Sequence, residues 1–180
     1  PKWEKNILNI YGEKFSGKTH LSNIFIDKNK GIKVEEKDIN DEFFKKLKLY
    51  ENIVIDNYFN KLEEKLMYSI FNLVDQDNKY LIINSINPIN EINYKLNDLK
   101  SRSKNCLFAK IDYPDDELMF AIILKSFSDR QIQVDKKLID FVIKRIDRSY
   151  SKIVDFIYKV DELSLKKKKA IDLKTIKEIL

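Results

Sequence analysis

The sequence is poor in the residues from which many sites are built. It holds one cysteine and one histidine, which excludes an internal disulfide, a cysteine-rich zinc site and a histidine-based metal cluster. The lone thiol, Cys106, lies in the apolar run CLFAKI. It reads as a small buried hydrophobe in preference to a reactive group. No apolar run approaches the ~20 residues that cross a bilayer, and no signal peptide opens the chain. A cytoplasmic location without membrane contact is therefore expected. Neither sign of charge dominates: 34 Lys+Arg against 29 Asp+Glu leave +5, spread along the chain. Nucleic-acid binding is permitted by that balance but not indicated by it. There is no internal repeat and no Gly/Ser linker. The chain starts at Pro1 and not at Met, so a missing upstream segment is expected.

What is present suffices for a real core: 180 residues, 43% hydrophobic and 12% aromatic. Glycine is the informative scarcity. Of only 3 glycines, Gly12 and Gly17 stand in 12-GEKFSGKT-19, at the fixed positions of G-x-x-x-x-G-K-[ST]. Glycines there let the backbone turn its N–H groups inward around β- and γ-phosphate oxygens. Lys18 brings positive charge to those phosphates, and the Thr19 hydroxyl can ligate Mg²⁺. Ser16 lies within the loop. His20 follows it, either close to the nucleotide or as an early helix residue with a packing duty.

The flanking pattern supplies the context this motif needs, an apolar strand at Ile7–Tyr11 and a helix over Thr19–Ile26. A weak strand at Ile32–Val34 and a helix near Asp41–Leu49 follow. Asn52–Asp56 reads as a buried parallel strand, Tyr80–Ser85 as another buried strand and Leu107–Ile111 as the last strand, with helical spacing at Lys61–Val74. Strands alternating with helices predict an α/β fold with a mostly parallel sheet. After Tyr113-Pro114 the texture becomes helical. Asp115 to Glu117 open one helix that runs to about Phe127, Asp135 caps a second, and two more follow around Ile153–Val160 and Leu173–Ile179. The predicted division is a nucleotide-binding core at 1–112 and a helical lid at 113–180.

Asp56 ends a buried strand, where an acid in a P-loop protein holds Mg²⁺. Asn57 follows it, and an amide is a poor base for activating water, so slow turnover is expected. At the end of the next strand, Asn84 and Ser85 either sense the γ-phosphate or serve the turn before Asn87-Pro88. Both readings stay open. Arg102 in 98-DLKSRSK-104 and Arg148 in 145-RIDRSYSKI-153 are candidates for phosphate contact, and spacing alone assigns neither a role. The run Lys166–Lys169 reads as a solvated loop.

In this order the pieces resemble the AAA+ family and its replication-initiator branch. Within that branch they are similar to the Hda group, regulators that inactivate the bacterial initiator DnaA. The segments carrying the resemblance are 12-GEKFSGKTHLSNIF-25, 63-EEKLMYSIFNLV-74, 96-LNDLKSRSK-104, 142-VIKRIDRSYSKIVDFIYKVDELSL-165 and 170-AIDLKTIKEIL-180. It implies a P-loop AAA+ core with a helical lid that binds ADP or ATP through Gly12–Thr19, with Mg²⁺ on Thr19 and Asp56. Arg148 looks like the lid arginine, and Arg102, after a basic helix, like an arginine finger acting on a neighbour's nucleotide. The implied function is negative regulation of replication initiation through ATP hydrolysis on DnaA. DnaA is the implied partner, the polymerase sliding clamp a second, and a homo-oligomer is possible in such a family. The clamp-binding segment has no counterpart before Pro1, and no helix-turn-helix domain follows the lid. A regulator without sequence-specific DNA binding is therefore expected. The alternatives are a helicase-loader-like or other DNA-remodelling ATPase, and a P-loop metabolite kinase.

Overall fold

A computed structural model describes residues 3–167 and 173–179. These form two compact units: residues 3–12 with 17–111, and residues 13–16 with 112–167 and 173–179. The four middle residues of the glycine loop thus group with the C-terminal unit.

The first unit is a five-stranded, all-parallel sheet. Its strands are β1 (Ile7–Gly12), β2 (Ile32–Glu35), β3 (Asn52–Tyr58), β4 (Tyr80–Ser85) and β5 (Leu107–Ile111), in the spatial order β2-β3-β4-β1-β5. The helices are α1 (Lys18–Asn29), α2 (Asp41–Leu47), α3 (Glu64–Gln76) and α4 (Asn97–Lys104). Apolar runs such as Ile53-Val54-Ile55 and Leu81-Ile82-Ile83 have no polar alternate because both faces of the sheet are covered. Alternation sorts them. Ile10, Val54 and Ile82 pack on one face with Phe25 and Ile26 of α1. Ile7, Ile53, Ile55, Leu81 and Ile83 pack on the other with Leu47, Met67, Ile70, Phe71, Val74 and Leu99 from α2, α3 and α4. The third glycine serves close packing: a Cβ on Gly31 would lie 2.2 Å from the Asn52 carbonyl oxygen.

Two polar anchors fix the loops at the sheet's C-terminal edge. Glu36 is buried and accepts backbone hydrogen bonds from Phe59 (2.6 Å), Lys61 (2.6 Å) and Leu62 (2.9 Å). Asn9 is fully buried. It donates to the Ile83 carbonyl and Ser85 Oγ and accepts from the Ile89 N–H.

The second unit contains α5 (Asp116–Asp129), α6 (Lys136–Ile143), α7 (Tyr150–Lys167) and α8 (Leu173–Ile179). Asp115 and Asp135 cap α5 and α6, accepting from the N–H groups of Leu118 and Lys137. The helices enclose a core that includes Met119, Ile123, Phe127, Val142, Ile153, Phe156 and Val160.

The structure differs from the sequence reading in several places. Helix α1 runs three residues beyond Ile26, to Asn29. Ser101-Arg102 falls inside α4 and not after it. Residues 166 and 167 belong to the end of α7 and not to a loop. The rest of the lysine run lies outside the described residues.

Candidate functional site

The glycine loop joins β1 to α1. Gly17 is the N-cap of α1 with φ 93°, ψ 7°. A Cβ there would meet nothing within 4 Å, so glycine serves the left-handed backbone angle and not a lack of space. Lys18 Nζ donates to the Gly12 carbonyl at 2.8 Å, folding the ammonium back onto the loop.

From α1 the site extends across the sheet edge. Thr19 Oγ1 donates to Asp56 Oδ1 at 3.2 Å. Asp56 is 3% exposed, and the same oxygen accepts from Asn84 Nδ2 (2.9 Å) and from the Asn57 N–H (3.1 Å). Asn84 gives its other amide hydrogen to Ser22 Oγ at 2.7 Å, so one side chain ties α1, β3 and β4 together. A carboxylate only accepts, which fixes the amide with its nitrogen towards Asp56. That leaves Asn84 Oδ1 buried without a hydrogen-bond partner.

This geometry bears on the open choice at the end of β4. Asn84 shares the strand face of Ile82 and α1, the face that also carries Asp56. Ser85 points to the opposite face, where its hydroxyl accepts from Asn9 and donates to the Asn87 carbonyl. The strand-end polar group beside Asp56 is therefore Asn84, and Ser85 has the turn role. Strand parity was the signal available for this, since Ile82 and Asn84 alternate in step with Val54 and Asp56. His20 is exposed, which corrects its expected packing duty: the first turn of α1 directs it away from the sheet. Asn57 takes φ 52°, at an irregularity in the β3–β4 pairing.

The structure joins Arg102 to this constellation by no hydrogen bond. Arg102 lies on α4, in the helix layer opposite α1. It pairs with Asp75 of α3 and lies over the Tyr68 ring, 5.5 Å from its centroid. Arg148, in the second unit, donates from Nε to Asp116 Oδ1 at 2.9 Å and is 65% exposed. Ser16 lies in the loop segment of that unit. Cys106 is buried against the first unit's core, and burial pushes its thiol up to about 12.

Among the described residues, no group of three or more His, Cys, Asp or Glu is placed to hold a metal. The acceptor set at Thr19 and Asp56 is one hydroxyl and one carboxylate, hard oxygen ligands that suit Mg²⁺ when phosphate oxygens and water complete its shell. No helix among the described residues is long and apolar enough to cross a membrane.

Sheet order, glycine loop and strand-end acid define an AAA+ P-loop α/β fold. In fold and sequence the chain is similar to the AAA+ domain of DnaA. It is 27% identical over 198 residues to the chromosomal replication initiator protein DnaA of Thermoanaerobacter sp. (strain X514), a match covering 97% of this chain and 45% of that protein. The chain thus spans under half the length of this relative, and its ends carry no argument for a regulator over an initiator. Domain III of Thermotoga maritima DnaA superposes with TM-score 0.78 at 22% identity, covering 98% of this chain and 84% of that one. DnaA bound to AMPPCP and single-stranded DNA gives 0.68 at 19% identity, covering 91% and 58%. The Thermotoga maritima RuvB Holliday junction branch migration motor gives 0.72 at 16% identity, covering 97% and 60%. No family model matches the chain.

Proposed function

We propose that the chain binds ADP or ATP with Mg²⁺ at the glycine loop and regulates DnaA, docking on the ATP-bound initiator and stimulating hydrolysis there. The nucleotide assignment is supported by the loop geometry and by the AMPPCP-bound DnaA relative. Lys18 and the N–H groups at the start of α1 receive the phosphates. Mg²⁺, held by Thr19 and Asp56, supplies neutralisation of the charge on the phosphate oxygens. Asn84 fixes the Asp56 carboxylate and leaves its own Oδ1 as an acceptor for a bound water or ligand donor.

The observation that carries the regulatory half is the place of Arg102. It sits in the helix layer opposite α1, bonded to Asp75 and not to Thr19, Asp56 or Asn84. An arginine so placed serves a nucleotide held by another molecule better than its own. Asn57 beside Asp56 agrees with this, because an amide cannot take a proton from water as a carboxylate does. The test is hydrolysis of DnaA-bound ATP with and without this protein, comparing wild type and Arg102→Ala. The sliding clamp belongs to the same reading as a second partner.

A second reading has the DnaA similarity in its favour: the chain is the nucleotide-binding part of an initiator that assembles on DNA. That reading predicts nucleotide-dependent, salt-sensitive binding to single-stranded DNA and no stimulation of DnaA in trans.

A further inference from the structure

Helix α4 is short and polar, and one face fixes it to the first unit. Leu99 and Ser103, one turn apart, are its buried positions. Arg102 stands beside that face, in the last turn of the helix. Its backbone is tied down. The Arg102 carbonyl accepts from the Asn105 N–H at 2.9 Å and from the buried Cys106 thiol at 3.5 Å.

The groups that hold its side chain come from α3. Tyr68 and Asp75 stand about two helical turns apart there, and so lie on one side of that helix. The Tyr68 ring packs partly buried against the core, and the guanidinium carbon of Arg102 lies 5.5 Å from its centroid. Asp75 Oδ2 accepts from Arg102 Nη1. A ring thus covers one face of the guanidinium, and a carboxylate takes one of its nitrogens. Among the described residues, Nε and Nη2 donate to nothing.

The ion pair is open to water: the side chains of Arg102 and Asp75 are 36% and 48% exposed. At that exposure it adds little stability, so stapling α3 to α4 is a poor account of it. Orientation is a better one. An arginine side chain loses rotamer freedom when it binds, and a fork held in advance loses less of it.

We infer that Tyr68 and Asp75 are positioning residues for Arg102, presetting the guanidinium so that its Nε–Nη2 edge meets a phosphate held by another molecule. This rests on the proposal that Arg102 acts on ATP bound to DnaA. The Nε–Nη2 edge carries two parallel N–H donors, the arrangement that two phosphate oxygens accept together. Asp75 takes the nitrogen outside that edge, and Tyr68 takes a face, so neither competes for it. The arginine is held and its working edge is left open.

The test is hydrolysis of ATP pre-bound to DnaA, titrated with wild type, Tyr68→Phe, Tyr68→Leu and Asp75→Ala, beside thermal melts. Tyr68→Phe keeps the ring and is expected to retain stimulation. Tyr68→Leu and Asp75→Ala are each expected to lower the maximal rate on the order of tenfold, the effect of a misaligned catalytic group. For Asp75→Ala the concentration giving half-maximal stimulation and the melting temperature are expected to stay at the wild-type values. A fall in melting temperature with the maximal rate intact would make the contacts a staple and overturn the inference. A higher maximal rate in Asp75→Ala would make Asp75 a restraint on the arginine, and overturns it equally. Arg102→Ala is run alongside. If it abolishes stimulation while Tyr68→Leu and Asp75→Ala keep it in full, this inference falls alone. If the wild type does not stimulate, the regulatory reading and the inference fall together.

Discussion

Thr19 Oγ1 and Asp56 Oδ1 are hydrogen-bonded at 3.2 Å although 37 positions separate them in the chain. The bond joins the first turn of α1 to the end of β3, at the edge where a parallel α/β sheet presents its ligand crevice. Loop and acid are therefore parts of one site, and substitutions at either should act on the same ligand.

Thr19→Ala removes a proposed metal ligand but leaves Lys18 and the loop backbone in place. The Mg²⁺-dependent part of ADP affinity should vanish, with the Mg²⁺-independent part retained. Thr19→Ser keeps the hydroxyl and should keep both. Calorimetry with and without Mg²⁺ reads the difference.

Asn57 holds φ 52°, a region that Asn and Asp tolerate better than longer side chains. Of two acidic replacements, Asn57→Asp should fold normally and raise ATP hydrolysis above the wild-type level. Asn57→Glu should lose stability before its carboxylate can act. Steady-state hydrolysis and thermal melts of the two variants check this, and brisk turnover by the wild type would show that another group serves as base.

Glu36 alone satisfies three backbone N–H groups of the segment 59–62. Glu36→Ala would leave them without it in a nearly closed environment, at a cost of about 3 kcal/mol. Glu36→Gln, which keeps one acceptor oxygen, should cost less. Denaturant midpoints order the three proteins.

Cys106 has its thiol raised to about 12 by burial. Because the raised value favours the protonated form, the native thiol stays neutral and unreactive at pH 8. Alkylation should be undetectable in the folded protein and prompt after unfolding in denaturant.

The sheet was readable because both faces are covered, so 52-NIVID-56 and 80-YLIINS-85 show as unbroken apolar runs. The glycine loop was readable because two of only 3 glycines stand at a fixed spacing between a strand and a helix, and Asp56 because it closes an apolar strand run. Asn84 against Ser85 needed strand parity, which becomes usable only when Val54 and Ile82 are known to share a face. Glu36 left no local signal. It is one acid among 29 Asp+Glu, and its partners lie 23 or more positions away. Helix α4 was masked by its polar composition: of NDLKSRSK only Leu99 and Ser103 are buried.

The measurement that tests the account most directly is single-turnover hydrolysis of ATP pre-bound to DnaA, with wild-type protein, Arg102→Ala and Arg102→Lys. The account predicts stimulation by the wild type and its loss in both variants, on the ~10³-fold or greater scale of an arginine finger, since a lysine lacks the planar fork of donors. ADP affinity of the Arg102 variants should stay at the wild-type level. Absence of stimulation by the wild type, or stimulation retained in Arg102→Ala while its own ADP binding is lost, would contradict it.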